Sequence, residues 1–134
     1  MSQRVRRVLL STSPVTYKKM ENRMNVVVLR GTLHVEPTER TLASGITVTN
    51  WELRTVSDDV VYKVPICWEQ ASKQVQSFDQ SDEVVIVGVV RRRFFTAGGA
   101  TASRTEVLGK RAEKASRRVA VSKLIDNAAD LLAA

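Results

Sequence analysis

One cysteine and one histidine in 134 residues leave this chain little room for metal or redox chemistry. With Cys67 alone, an internal disulfide and any multi-cysteine metal site are excluded. His34 is the lone imidazole, so the common zinc arrangements are out of reach, and both residues are assigned structural roles. No apolar run approaches the roughly 18 residues of a membrane helix. The RVRR start is followed only by Val8-Leu9-Leu10, too short for the apolar core of a secretory leader. No nucleophile–base pair, carboxylate pair or metal cluster emerges, so an enzyme is not expected. These absences point to a soluble cytoplasmic protein with no cofactor, no metal and no membrane contact. Its length suits one domain with a real core and is too short for two comfortable ones.

What the chain does have is positive charge, +7 overall, unevenly placed. Residues 1–24 carry +5, residues 25–90 carry −4, residues 91–118 carry +7 and the last sixteen carry −1. Two basic blocks around a mildly acidic body suggest a polyanionic partner. Nucleic acid fits better than a membrane, because no basic amphipathic anchor is obvious.

The order of elements follows from periodicity and turn residues. Residues 1–23 are polar and basic with little periodicity and read as an N-terminal arm. Asn25–Leu33 is a β-branched strand in which Gly31 marks a bulge or a close approach. Ile46–Thr55 alternates as a strand with Trp51 and Leu53 on one face, and Val60–Ile66 follows after a short Ser57-Asp58-Asp59 turn. In Trp68–Phe78 the period changes, with Trp68, Ala71, Val75 and Phe78 on one helical stripe. Glu83–Phe95 (EVVIVGVVRRRFF) is the next strand, TAGGATA a Gly-containing hairpin loop, and Arg104–Gly109 the returning strand. Ser116–Leu132 has Val121, Leu124, Ile125, Ala128, Leu131 and Leu132 at helical spacing, an amphipathic C-terminal helix. This is an all-β layout: a five-stranded Greek-key barrel of the oligonucleotide/oligosaccharide-binding (OB) type, with one inserted helix and an appended C-terminal helix. The expected division is an arm at 1–23, a barrel at 24–112 and the helix at 113–134.

The Glu83–Phe95 strand carries two signals. Its apolar residues occupy both faces, Val84, Ile86 and Val90 on one and Val85, Val87 and Val89 on the other. The outer set, with Val26 and Val28 on the first strand, needs a cover: a subunit interface or the folded-back C-terminal helix. Its end puts Arg91, Arg93 and Phe95 on one face, a combination that can hold phosphates and stack under a base. Phe94, on the opposite face, is expected in the core.

Asn25–Leu33 with Pro37, then Ser44-Gly45 and Val48–Leu53, resembles the opening strands of bacterial single-stranded DNA-binding proteins. Tyr62 to Phe95 is similar to that family without a gap, through Ala71, Val84, Ile86, Gly88 and Arg91. Gly98-Gly99 and Arg104–Val107 look like its last hairpin. The resemblance covers residues 24–110. It implies an OB fold, no catalysis, and assembly as a homotetramer or as dimers. Where the family usually stacks aromatics, this chain has Cys67 and Val61. It ends Ala-Asp-Leu-Leu-Ala-Ala rather than in a flexible acidic tail, as a specialised or element-encoded relative would.

Phe95 aligns with a family stacking aromatic. Arg30, Arg54, Lys63, Arg91, Arg93, Lys110 and Arg111 are the phosphate-contact candidates, acting jointly through counterion release. Arg117 and Arg118 would extend the track if the C-terminal helix lies beside it. Tyr62 is a further ring that can face outward, whereas Trp51 and Trp68 fit a core better. The expected function is binding of single-stranded DNA with little sequence preference, in replication, repair or recombination at the nucleoid. The alternative is an OB module for protein interaction or oligomerisation with weak or no DNA binding. An RNA-binding barrel is a third reading.

Overall fold

β-Branched and aromatic runs form the strands, and residues suited to tight reversals join them. The computed structural model describes residues 25–133. In order these are β1 (Val27–Leu33), β2 (Thr38–Thr41), β3 (Thr47–Ser57), β4 (Val60–Glu69), α1 (Lys73–Gln76), β5 (Glu83–Ala97), β6 (Ala100–Lys114) and α2 (Arg118–Ala133). The arm expected at 1–23 lies outside the described residues.

Two hairpins set the geometry. Asp58 and Asp59 join β3 to β4 with φ of 51° and 62°, and Gly98 and Gly99 join β5 to β6 with φ of 58° and 80°. Paired positive φ values suit the right-handed twist of the flanking strands, which is why two-residue loops suffice. The sheet then closes: β1 pairs antiparallel with β5 over Val27–Thr32 and with β3 at Thr32 and Leu33. β4 and β6 run parallel at Ile66–Val107 and Cys67–Leu108. The result is a closed barrel in the order β1-β3-β4-β6-β5, with β2 added outside on the edge of β3. At Gly31 β1 passes from β5 to β3, and a Cβ there would lie 2.4 Å from the Arg54 carbonyl oxygen. Only glycine permits that approach.

The barrel interior is filled by Leu33, Leu53, Ile66, Val84, Ile86 and Val107. One end is plugged by Trp51, Trp68, Val75 and Phe78, with Trp51 edge-on to Trp68 at 5.0 Å and to Phe78 at 5.6 Å. The helix expected over Trp68–Phe78 is much shorter. Trp68 pairs with Thr49 at the end of β4, and α1 is a single turn whose Ser72 Oγ accepts from the Val75 amide. The apolar stripe belongs to the core as expected, but strand pairing outweighs its helical spacing at Trp68.

The second apolar face of β5 is covered by α2. Val85 and Val87 pack with Ala115, Leu124 and Ala128, and Val26 and Val121 lie against them. Val28 on β1 remains 43% exposed. Among the described residues no helix is long and apolar enough to cross a membrane.

Candidate functional site

Because Trp51, Leu53, Ile66 and Val107 point into the barrel, their alternates on β3, β4 and β6 point out. The outward set includes Val48, Asn50 and Glu52 on β3, Lys63, Cys67 and Glu69 on β4, and Arg104 and Glu106 on β6. Arg91 and Arg93 join it from β5, opposite Glu106 and Arg104. This face holds two adjoining hollows that share Asn50. One, of about 350 Å³, is lined by Lys63 and Arg104 among others. The second, of about 430 Å³, is lined by Arg40, Cys67, Glu69 and the run Arg91–Phe94. Together they form an open groove across β2, β3, β4 and β6 toward the β5–β6 arm.

A buried carboxylate organises one wall. Glu106 has a side chain only 2% exposed, lies directly across from Arg91 and is diagonal to Arg93. Nε and Nη2 of Arg91 both lie 2.9 Å from Oε2 of Glu106, while Nη1 donates to Oε2 of Glu69 at 3.0 Å. Burial alone would lower the Arg91 pKa. Hydrogen bonds to Glu69 and Glu106 and the charge of Glu106 outweigh it and hold the guanidinium above its ordinary value. Cys67 lies beside this network. Burial pushes its thiol up first, the charge of Glu106 adds to that, and Arg91 opposes it.

Arg93 is held differently. Its Nε lies 3.4 Å from Oε1 of Glu106, an ion pair without hydrogen-bond geometry, since that buried nitrogen has no hydrogen-bond partner. Its guanidinium carbon sits 5.9 Å from the Phe95 ring centroid, within cation–π range. Phe95 is 40% exposed on the same strand face, as alternation predicts. Phe94 is not core: it is 66% exposed and borders the larger hollow with the arginines. The physical reason is the length of β5 and β6. Beyond Arg91 and Glu106 they continue as a two-stranded arm past the barrel, where no interior remains to receive a side chain.

The other basic candidates divide. Arg54 and Lys63 face each other across β3 and β4 on the groove side. Tyr62 is 51% exposed but alternates to the opposite face from Lys63. Arg30 is tied to Glu83 at 3.0 Å on β1 and β5, away from the hollows, which holds Glu83 below the usual carboxylate range. Lys110 is the unpaired extra residue of a β-bulge in β6, since Val87 faces Arg111 and Gly88 faces Gly109. It borders a separate small hollow beside Trp68 and α1. Arg111 is exposed opposite Val87, on the side where α2 packs. The groove thus collects Lys63, Arg91 and Arg93, with Phe95 on the adjoining arm; Arg54 shares that side of the sheet without lining either hollow, and Arg30, Tyr62, Lys110 and Arg111 lie elsewhere.

Sequence reasoning missed Arg40, Arg104 and Asn50 as lining residues, and Glu106 as the partner of two arginines. Arg104 and Glu106 had a signal, because a tight Gly98-Gly99 turn fixes their register opposite Arg93 and Arg91. Arg40 had none, since four polar residues are too few for strand alternation to show. Among the described residues no group of three or more His, Cys, Asp or Glu is placed to hold a metal ion.

The fold defines an OB-like class: a closed five-stranded barrel with an inserted helical turn and a C-terminal helix. No protein-family model matches the chain, and no curated protein matches it either.

Proposed function

We propose that this protein binds single-stranded DNA along the outer groove, as the single-stranded DNA-binding proteins that its sequence resembles do. The observation that carries this reading is the joint placement of Arg40, Lys63, Arg93 and Arg104 along one open groove that ends at exposed Phe94 and Phe95. Phosphates of an extended strand would meet the basic side chains, and bases would stack on the arm's rings. The groove is open and its cations are spaced along it, so binding has little sequence preference. A role in replication, repair or recombination at the nucleoid, and assembly as a homotetramer or dimer, belong to the same proposal. Val28 on the outer face of β1 gives such an assembly an apolar contact.

The test is a titration with oligo(dT) at two salt concentrations, beside a duplex of equal length and a mass measurement of the assembly. Tight binding at low salt that falls steeply with salt, and weaker duplex binding, is expected. Salt-insensitive or duplex-preferring binding contradicts the proposal.

One observation favours a second reading, an OB module for protein contacts. Beyond its buried side, α2 presents Val119, Ile125, Leu131 and Leu132 to solvent, with exposures from 43% to 74%. Under that reading, changing Arg93, Phe94 and Phe95 together leaves nucleic-acid affinity unaltered, while changes in α2 abolish a protein contact.

A further inference from the structure

The three consecutive arginines at 91–93 look equivalent in sequence and are not equivalent in the fold. Arg91 has its Nε and Nη2 edge on the Glu106 carboxylate and its Nη1 on Glu69. A phosphate can take the Nε–Nη2 edge only by leaving Glu106, 3% exposed as a residue, without its hydrogen-bonded partner, and can reach Nη1 only by displacing Glu69. Breaking one side of a buried pair is strongly unfavourable, because the remaining charge is left desolvated and uncompensated. Arg93 has the 3.4 Å ion pair and the Phe95 ring as the attractive partners of its charge among the described residues, with the like charge of Arg104 directly across the pair. Its side chain is 37% exposed, against 28% for Arg91.

We propose that Glu106 is a positioning residue that withholds Arg91 from a bound polyanion and leaves Arg93 to meet the phosphate. This rests on the reading of the groove as a single-strand site and adds a division of labour inside it. Glu106 and Glu69 together cancel more charge than Arg91 supplies, so the groove attracts a polyanion less than its arginine count suggests. The buried carboxylate in the wall of this basic groove fixes the β5–β6 arm at its root, where the strands leave the barrel. Glu106 therefore lowers the groove's effective charge while holding the arm in place.

The experiment measures oligo(dT) affinity against salt for the full chain and four variants: Glu106→Gln, Glu69→Gln, Arg91→Ala and Arg93→Ala. Each phosphate neutralised on a single strand adds about 0.7 to the slope of log affinity against log salt, or about 2.6-fold more loss over a fourfold rise in salt. Arg93→Ala is expected to lower the slope by about that amount, and Arg91→Ala to leave it unchanged. Glu106→Gln frees the Arg91 fork, so it is expected to tighten binding at low salt and to steepen the slope by about 0.7. A purely structural role for Glu106 would weaken binding and leave the slope alone. Glu69→Gln, whose side chain is 48% exposed, frees one edge of Arg91 without disturbing the buried carboxylate and is expected to shift the slope the same way. It keeps the test valid if Glu106→Gln does not fold. Equal slope losses for the two arginine variants, or wild-type slopes for both glutamate variants, overturn the proposal. If the wild-type chain binds no oligo(dT) at low salt, the single-strand reading fails separately. Elution from heparin then decides the inference: later elution of Glu106→Gln and Glu69→Gln supports it, and unchanged elution overturns it.

Discussion

Arg91 and Glu106 face each other across the β5–β6 pair, with two guanidinium nitrogens 2.9 Å from one carboxylate oxygen. The contact sits where the pair leaves the barrel to become a free arm. It separates Arg91, tied to the fold, from Arg93, whose side chain is 37% exposed.

Stability should therefore respond unequally to the two arginines. Arg91→Ala leaves a buried carboxylate without its hydrogen-bonded partner and is expected to cost about 3 kcal/mol in urea unfolding. Arg93→Ala removes an ion pair of poor geometry from a part-exposed arginine, leaves Glu106 its hydrogen bond from Arg91, and should cost about 1 kcal/mol or less. Equal losses would contradict the assignment of Arg91 to the fold.

Phe94 and Phe95 should matter for binding and not for folding. Removing a stacking ring is expected to cost about 1–3 kcal/mol of affinity per base lost. Phe94→Ala should leave the unfolding midpoint unchanged, because its ring is 66% exposed. Trp51→Ala should do the opposite: it empties the barrel plug and is expected to lose about 3–5 kcal/mol of stability.

Gly31 closes the barrel by letting β1 touch β3. Gly31→Ala sets a methyl against the Arg54 carbonyl oxygen at 2.4 Å, and a backbone atom cannot yield as a flexible side chain can. A loss of about 1–3 kcal/mol is expected from overpacking, read as a lower midpoint in urea.

Cys67 supplies a pH dependence. Its pKa is raised in the folded state, chiefly by burial, so the native thiol keeps its proton at pH values where an unfolded cysteine has lost it. The associated stability is fully present below the unfolded value of about 8.5 and is lost as pH rises through the folded one. Native protein at pH 8 should react with a thiol reagent far more slowly than unfolded protein. Stability should fall as pH rises above about 8.5, and Cys67→Ser should flatten that fall.

Much of the fold was legible because the physics was local. Alternation placed Trp51 and Leu53 inward, and the valines of β5 announced two covered faces. The sequence left open whether α2 or a second subunit covers the outer face, and packing of Leu124 and Ala128 on Val85 and Val87 assigns that role to α2. Trp68 misled because a buried strand end followed by a helical turn imitates a helical stripe. Phe94 misled because alternation assumes an interior, and the β5–β6 arm has none. The groove itself was the least legible part. Which cations share it depends on register between strands far apart in sequence, and that register sends Arg30 and Arg111 elsewhere while bringing in Arg40 and Arg104.

Under the proposed function, single-stranded DNA lies along the outer groove against Arg93 and its basic neighbours, with bases on the rings of the arm. The most direct measurement is oligo(dT) affinity of the wild-type chain and of an Arg93→Ala, Phe94→Ala, Phe95→Ala triple variant at two salt concentrations. Tight, salt-sensitive binding by the wild type is expected, and a loss of at least tenfold in the variant with an unchanged assembly mass, from about 1–3 kcal/mol per stacking ring. Equal affinity of the two proteins at both salt concentrations would contradict that placement of the DNA.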